Sequence, residues 1–129
     1  MAGEEIAGIW LVFSARHFPI PLSLGPAILL DYLARHRWLA ESALQIEGGL
    51  RADLFSLRHG INASTSRKQT RRFHRSTIKE YVKRIRQVLG VTFAEARLNI
   101  DPTDVLVSEV TSGNEVRYRL KAMVNWTHC

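Results

Sequence analysis

The stretch that most restricts this chain is Arg67 to Gly90, RKQTRRFHRSTIKEYVKRIRQVLG, where a basic polar run turns at Ser76-Thr77 into an amphipathic helix carrying further positive charge. Thr77 is placed to cap the first turn, and Glu80, three residues on, can reach back to the cap's backbone N–H, so Thr-Ile-Lys-Glu reads as a capping box. Ile78, Tyr81, Val82, Ile85, Val88 and Leu89 recur at helical spacing as one apolar face. Lys79, Glu80, Lys83, Arg84, Arg86 and Gln87 occupy the rest of the helix surface. Gly90 supplies a C-terminal stop, so the expected helix spans 76–90.

A cationic helix face is most often just a solvated one. Here the charge is one-sided: Arg67, Lys68, Arg71, Arg72, Arg75, Lys79, Lys83, Arg84 and Arg86 stand against a single acid, Glu80. Charge of one sign on a short segment repels itself, which suits a surface completed by a phosphate-bearing partner. The formal charge of +6 and pI of about 10.1 agree, without separating DNA from RNA or a membrane surface. A chain of 129 residues, 46% hydrophobic and 23% charged, suffices for one domain with a real core (1–129) and is too short for two ordinary ones. Cys129 is the only cysteine, so no internal disulfide forms and a reducing, cytoplasmic setting is expected. No apolar run is long enough to span a bilayer, and the start, Met-Ala-Gly-Glu-Glu, is acidic where a signal peptide would be basic.

Along the chain, Ile9–Ser14 and Phe18–Leu22 read as a hairpin turning at Ala15-Arg16-His17, its second strand kept to an edge by Pro19 and Pro21. Ser23 as a cap, Pro26 in the first turn and the stripe Ile28, Leu29, Tyr32, Leu33 and Trp38 predict a first core helix, with Asp31, Arg35 and His36 outward. A second helix is expected from Glu41 to about Arg58 on Leu44, Ile46, Leu50, Leu54, Phe55 and Leu57. Gly48-Gly49 weakens it by about 1 kcal/mol per glycine and leaves room for a bend. Residues 61–75 form a basic loop with nothing to bury. Val91–Arg97 is ambiguous, and Asn99-Ile100-Asp101-Pro102 is a turn. A hairpin over 105–121 follows, with Val105, Val107 and Val110 on one strand and Val116, Tyr118 and Leu120 on the other. Alternation places Arg117, Arg119 and Lys121 opposite the apolar face of the second strand. The tail around Trp126 can extend that strand or fold back onto the core.

This α+β order, an N-terminal β-hairpin, a three-helix core and a C-terminal β-hairpin, is that of a winged helix-turn-helix. At this point the chain resembles the DNA-binding effector domain of bacterial response regulators of the OmpR/PhoB type, and more distantly the DNA-binding domains of antibiotic regulatory proteins. Val82-Lys83-Arg84-Ile85-Arg86-Gln87-Val88-Leu89 matches that family's apolar-basic-basic-apolar-Arg-x-x-Leu recognition helix, and Val116-Arg117-Tyr118-Arg119-Leu120 is similar to its strand after the wing. The resemblance implies a transcription regulator that binds double-stranded DNA, with helix 76–90 in the major groove and the wing on the adjacent minor groove or backbone. It places Thr77, Glu80, Lys83, Arg84 and Arg86 on groove or backbone positions of the helix and Arg117 and Arg119 on the wing; beside these, Ser76, Lys79, Asn114 and the basic run's Arg67, Lys68, Arg71, Arg72 and Arg75 are expected DNA contacts from their own charge and position. RNA polymerase and a second copy of the chain, as a dimer or in tandem on DNA, are further implied partners. The chain departs from the family pattern in its long basic loop, its Ser-Gly-Asn-Glu wing tip and Glu80 at a commonly apolar position. No receiver domain precedes the fold in this sequence, so control by phosphorylation does not carry over.

Physical chemistry points the same way, since an α-helix fits the major groove and arginine can read guanine bidentately. Glu80 can accept from cytosine or pair with Arg84 four residues on, the pair being the default. Other classes have less support. His17, His36, His59, His74 and His128 are scattered, with no zinc or nucleotide-binding motif, so neither catalysis, a metal nor a cofactor is expected. His74, between Phe73 and Arg75, reads as a phosphate or solvent contact. An RNA-binding or ribosome-associated module is the alternative, with Phe73 stacking on unpaired bases, but an interleaved aromatic platform is lacking. A winged helix serving as a protein–protein adaptor would carry a less charged helix face.

Overall fold

The computed structural model describes residues 6–37, 40–56, 74–111 and 113–126. Over these residues the fold is mixed α+β, with two antiparallel three-stranded sheets and four helices. Strands β1 (Ile6–Phe13) and β2 (Arg16–Ser23) form the first hairpin. Its turn is the two residues Ser14 and Ala15 at φ 53° and 61°, not the three expected. Two successive residues at positive φ match the right-handed twist of the flanking strands, and no Asn-Gly signal announces this turn in the sequence. Pro19 and Pro21 sit opposite Trp10 and Gly8 on β2, which is an edge strand as the missing amide donors require. The tail returns as β6 (Met123–Trp126), pairing with β1 on its other side and giving the order β2-β1-β6.

Helix α1 (Leu24–Arg35) follows directly from β2, with Ser23 at its N-cap but no side-chain cap hydrogen bond. It buries Leu29, Tyr32 and Leu33, while Arg35 pairs with Asp31 at 3.0 Å on its outer face. Trp38 lies outside the described residues. The short strand β3 (Glu41–Ser42) precedes α2 (Ala43–Ser56). A reciprocal cap is found here: Gln45 N–H donates to Ser42 Oγ at 3.2 Å, and Ser42 N–H donates to Gln45 Oε1 at 2.9 Å. Through Gly48-Gly49 the helix continues unbroken. Gly49 is there for close approach, because a Cβ would collide with the Tyr32 hydroxyl, which itself donates to Glu41 at 2.8 Å. Leu44, expected in the buried set, is 57% exposed. It falls on the second residue of α2, opposite the face that buries Ile46 and Leu50.

Helix α3 runs from Arg75 to Glu95, longer at both ends than the expected 76–90. At its start His74, not Thr77, is the N-cap: its Nδ1 accepts from the Ser76 N–H at 3.3 Å, and its carbonyl accepts from Ile78 N–H at 2.9 Å. Thr77 therefore already lies inside the first turn. Gly90 does not stop the helix, because Phe93, one turn beyond Leu89, is buried against the first sheet. Phe93 meets Phe18 edge-on at 5.3 Å and Phe13 at 6.5 Å between ring centroids. The real terminus is a Schellman motif around Arg97, at φ 59°: Leu98 N–H donates to Phe93 O and Arg97 N–H to Ala94 O.

After the irregular residues 99–101, where a turn is expected, a four-residue helix α4 (Pro102–Val105) starts from the Asp101 cap and buries Val105. The second hairpin is therefore shorter than 105–121, with β4 at Leu106–Val110 and β5 at Val116–Leu120. Val105 is helical and Val110 is 68% exposed, so β4 is anchored by Leu106 instead. On β5, Tyr118 and Leu120 are buried as alternation predicts, whereas Val116 is exposed. The outer edge of β5 is taken by β3, giving the order β3-β5-β4. One cluster of buried residues links β1, β2 and α1–α3 to α4, β4 and β5, so both sheets share the core that seats α3.

Candidate nucleic-acid interface

The buried stripe of α3 is Ile78, Val82, Ile85, Leu89 and Phe93. With successive residues turned by roughly 100°, Glu80, Arg84 and Gln87 project from the opposite side of the helix. All three are exposed, as are Ser76, Lys79 and Lys83. Lys79, Lys83 and Arg84 make no ion pair among the described residues, and neither does Glu80, so the expected Glu80–Arg84 pair is absent. An i,i+4 pair on an open helix face is worth only about 0.3–0.5 kcal/mol, too little to hold two long side chains together. The face thus keeps three uncompensated cations beside one carboxylate.

Lys79 and Lys83 border a recess of about 450 Å³ between α3, α4 and the β4–β5 hairpin, closed on the far side by Thr103, Ser108 and Tyr118. Arg86 lies in the same recess and is tied into the fold. Its Nε and Nη2 donate to the Leu106 carbonyl at 3.1 and 2.7 Å, and Nη2 donates to Ser108 Oγ at 2.6 Å. Arg86, expected among the interface residues, is thus a strut between helix and hairpin. It faces β4 because it falls on the hairpin flank of α3, about one turn along from Lys83 and two from Lys79.

On the hairpin, Arg117 and Arg119 share the half-exposed face, as expected, but both are paired. Arg117 Nε lies 2.7 Å from Glu115 Oε1, and Arg119 Nη2 lies 3.4 Å from Glu109 Oε1. Asn114 sits at the exposed tip at φ 60°, its N–H donating to Thr111 O. Ser76 is occupied locally, with its Oγ 3.0 Å from His74 Nδ1, and Thr77 is half-buried. His74 thus acts as a helix cap. Arg67, Lys68, Arg71 and Arg72 lie outside the described residues, and so does the side chain of Arg75. Gln87 is the residue that charge-based reasoning passes over. It lies on the exposed face within one turn of Lys83 and Arg84 and also borders the recess, a position visible in the helical periodicity alone.

Asp101, which is exposed, brings negative charge to the edge of the recess. The Thr103 hydroxyl donates to it at 2.7 Å and the Thr103 N–H at 2.9 Å; these bonds, with attraction from Arg86, hold its carboxyl below the usual carboxylate range. A lowered carboxyl pKa adds stability that is present above the ordinary carboxylate range and lost as pH falls through the folded value. The cap on α4 should therefore survive mild acid. A carboxyl-carbon NMR titration of Asp101 with its midpoint at or above an unfolded aspartate's would contradict this.

A larger groove of about 820 Å³ lies on the other flank of α3, against β2. Trp10, Pro19, Pro21, Val88 and Val91 make it mostly apolar, and besides His17 its charged residues are Arg16 and Glu95, of opposite sign. It lacks the cationic excess of the hairpin side. Among the described residues no helix is long and apolar enough to cross a membrane, and no three His, Cys, Asp or Glu side chains gather as a metal site would need. In comparisons with known proteins, no family model, curated protein or solved structure matches this chain.

Proposed function

We propose that the chain is a winged-helix domain that binds double-stranded DNA sequence-specifically, as a transcription regulator of the OmpR/PhoB type. The observation that carries this reading is α3 itself. Its inner face is locked into the core, its outer face offers Lys79, Lys83 and Arg84 without counterions among the described residues, and a β-hairpin stands beside it across the recess. A strand between the first two helices that pairs with the last strand of the hairpin, in the order β3-β5-β4, supports the winged-helix assignment. An α-helix of ordinary width enters the major groove, where Arg84, Gln87 and Glu80 can meet base edges while Lys79 and Lys83 meet phosphates.

Titration of the protein on duplex DNA, single-stranded DNA and structured RNA tests the reading. Duplex should bind most tightly; preference for either single-stranded DNA or RNA would overturn the proposal. On a selected duplex site Arg84→Ala should cost about 1–3 kcal/mol and relax preference at one position, as loss of a bidentate base contact does. An equal loss on selected and random duplex would make Arg84 a phosphate contact instead.

A further inference from the structure

A wing that clamps phosphates should present free cations, yet both arginines of this hairpin already have carboxylate partners. Glu109 lies directly opposite Arg117 in the β4–β5 register, and Glu115 closes the tip two residues before it. The two ion pairs alternate along one face, with side-chain exposures of 38% and 46% for Arg117 and Glu115 and 35% and 46% for Arg119 and Glu109. At such exposure the pairs are screened and add little to folding, so their consequence is for the field the hairpin presents to a polyanion. The charges of the four side chains cancel. The pairs also differ in tightness: 2.7 Å is a close charge-assisted contact, whereas 3.4 Å is loose, and the buried Nε of Arg119 has no hydrogen-bond partner among the described residues.

Resting on the DNA-binding reading, we infer that Glu109 and Glu115 are selectivity residues that withhold Arg117 and Arg119 from phosphates on random DNA. On random sequence an arginine must exchange a carboxylate for a phosphate, so the exchange releases few counterions and brings little affinity. Where α3 is seated on its preferred site, the phosphate is held in place and the exchange becomes intramolecular. Arg119 is the first to transfer, because its carboxylate contact is the longer and its Nε gains a partner by reorienting. The glutamates thereby lower non-specific binding more than specific binding, which is discrimination by an opposing charge.

The test is the salt dependence of binding to random duplex for wild-type protein and for Glu109→Gln with Glu115→Gln, a replacement that preserves shape and hydrogen-bond acceptance. Releasing both arginines should steepen the log–log slope by about 1.8, at about 0.9 per new phosphate contact, and lower the ratio of selected-site to random affinity. Arg117→Gln with Arg119→Gln should remove that gain in the glutamine background and alter the wild-type random-DNA slope far less. Glu95→Gln, an exposed acid on the opposite flank of α3, controls for the general loss of negative charge. An unchanged slope in the folded glutamine variant, or an equal change in Glu95→Gln, would overturn the inference while leaving the DNA-binding reading intact. Failure of wild-type protein to bind any duplex would overturn that reading, and this one with it.

Discussion

Phe93→Ala is expected to lower the free energy of unfolding by about 3–5 kcal/mol, the cost of removing a large aromatic side chain from a packed interior. Phe93 is buried where the last turns of α3 cross the first sheet, between Phe18 and Phe13. Its carbonyl also accepts from Leu98 N–H in the terminal Schellman turn, and Leu98 is itself packed on the core, so the cavity would open beneath the helix terminus. Chemical denaturation with far-UV circular dichroism measures the effect. A loss below about 1 kcal/mol would mean that the helix ends near Gly90 and that Phe93 is not packed in the core. Because the cationic face of α3 lies earlier in the helix, any remaining folded Phe93→Ala protein should keep most of its affinity for duplex DNA.

Arg86→Ala is expected to cost about 3 kcal/mol of stability, the upper end for hydrogen bonds from a charged donor, because it strips the buried Leu106 carbonyl of both guanidinium donors. Arg86→Lys should recover only part of it, since an ammonium cannot reproduce the planar fork that spans Leu106 O and Ser108 Oγ. The contrast with Arg84 is informative. Thermal unfolding and DNA titration should separate the two arginines, with Arg84→Ala losing affinity at unchanged stability and Arg86→Ala losing stability first. Full stability in Arg86→Ala together with weakened DNA binding would return Arg86 to the interface and refute the strut.

Two residues apart in one basic run, Arg84 and Arg86 have opposite fates, and their chemistry cannot say which is which. Helical periodicity does state that Ile78, Val82, Ile85 and Leu89 face inward and Glu80, Arg84 and Gln87 outward, because each residue advances the same angle whatever surrounds it. Periodicity of two likewise located Tyr118 and Leu120 inside and Arg117 with Arg119 on the other face. The prolines of β2 announced an edge strand because a missing amide donor is a local, covalent fact. These features belong to the sequence by itself: α3 and its apolar stripe, both hairpins, the unbalanced charge, and the mixed α+β class.

The remainder depended on what each element meets. Gly90 would have ended a solitary helix, but the burial of Phe93 outweighs the roughly 1 kcal/mol that glycine costs in a helix interior. The capping box belongs to Ser42 and Gln45 and not to Thr77 and Glu80, because the cap lies where the chain enters the helix, and β3 and His74 set those entries. Only the tertiary structure turned Arg86 toward a carbonyl twenty residues away, set Glu109 beside Arg119, and brought β6 back to β1. Each is a contact between separate elements, chosen by how those elements pack and pair. Residue type and spacing along one element carry no information about that choice.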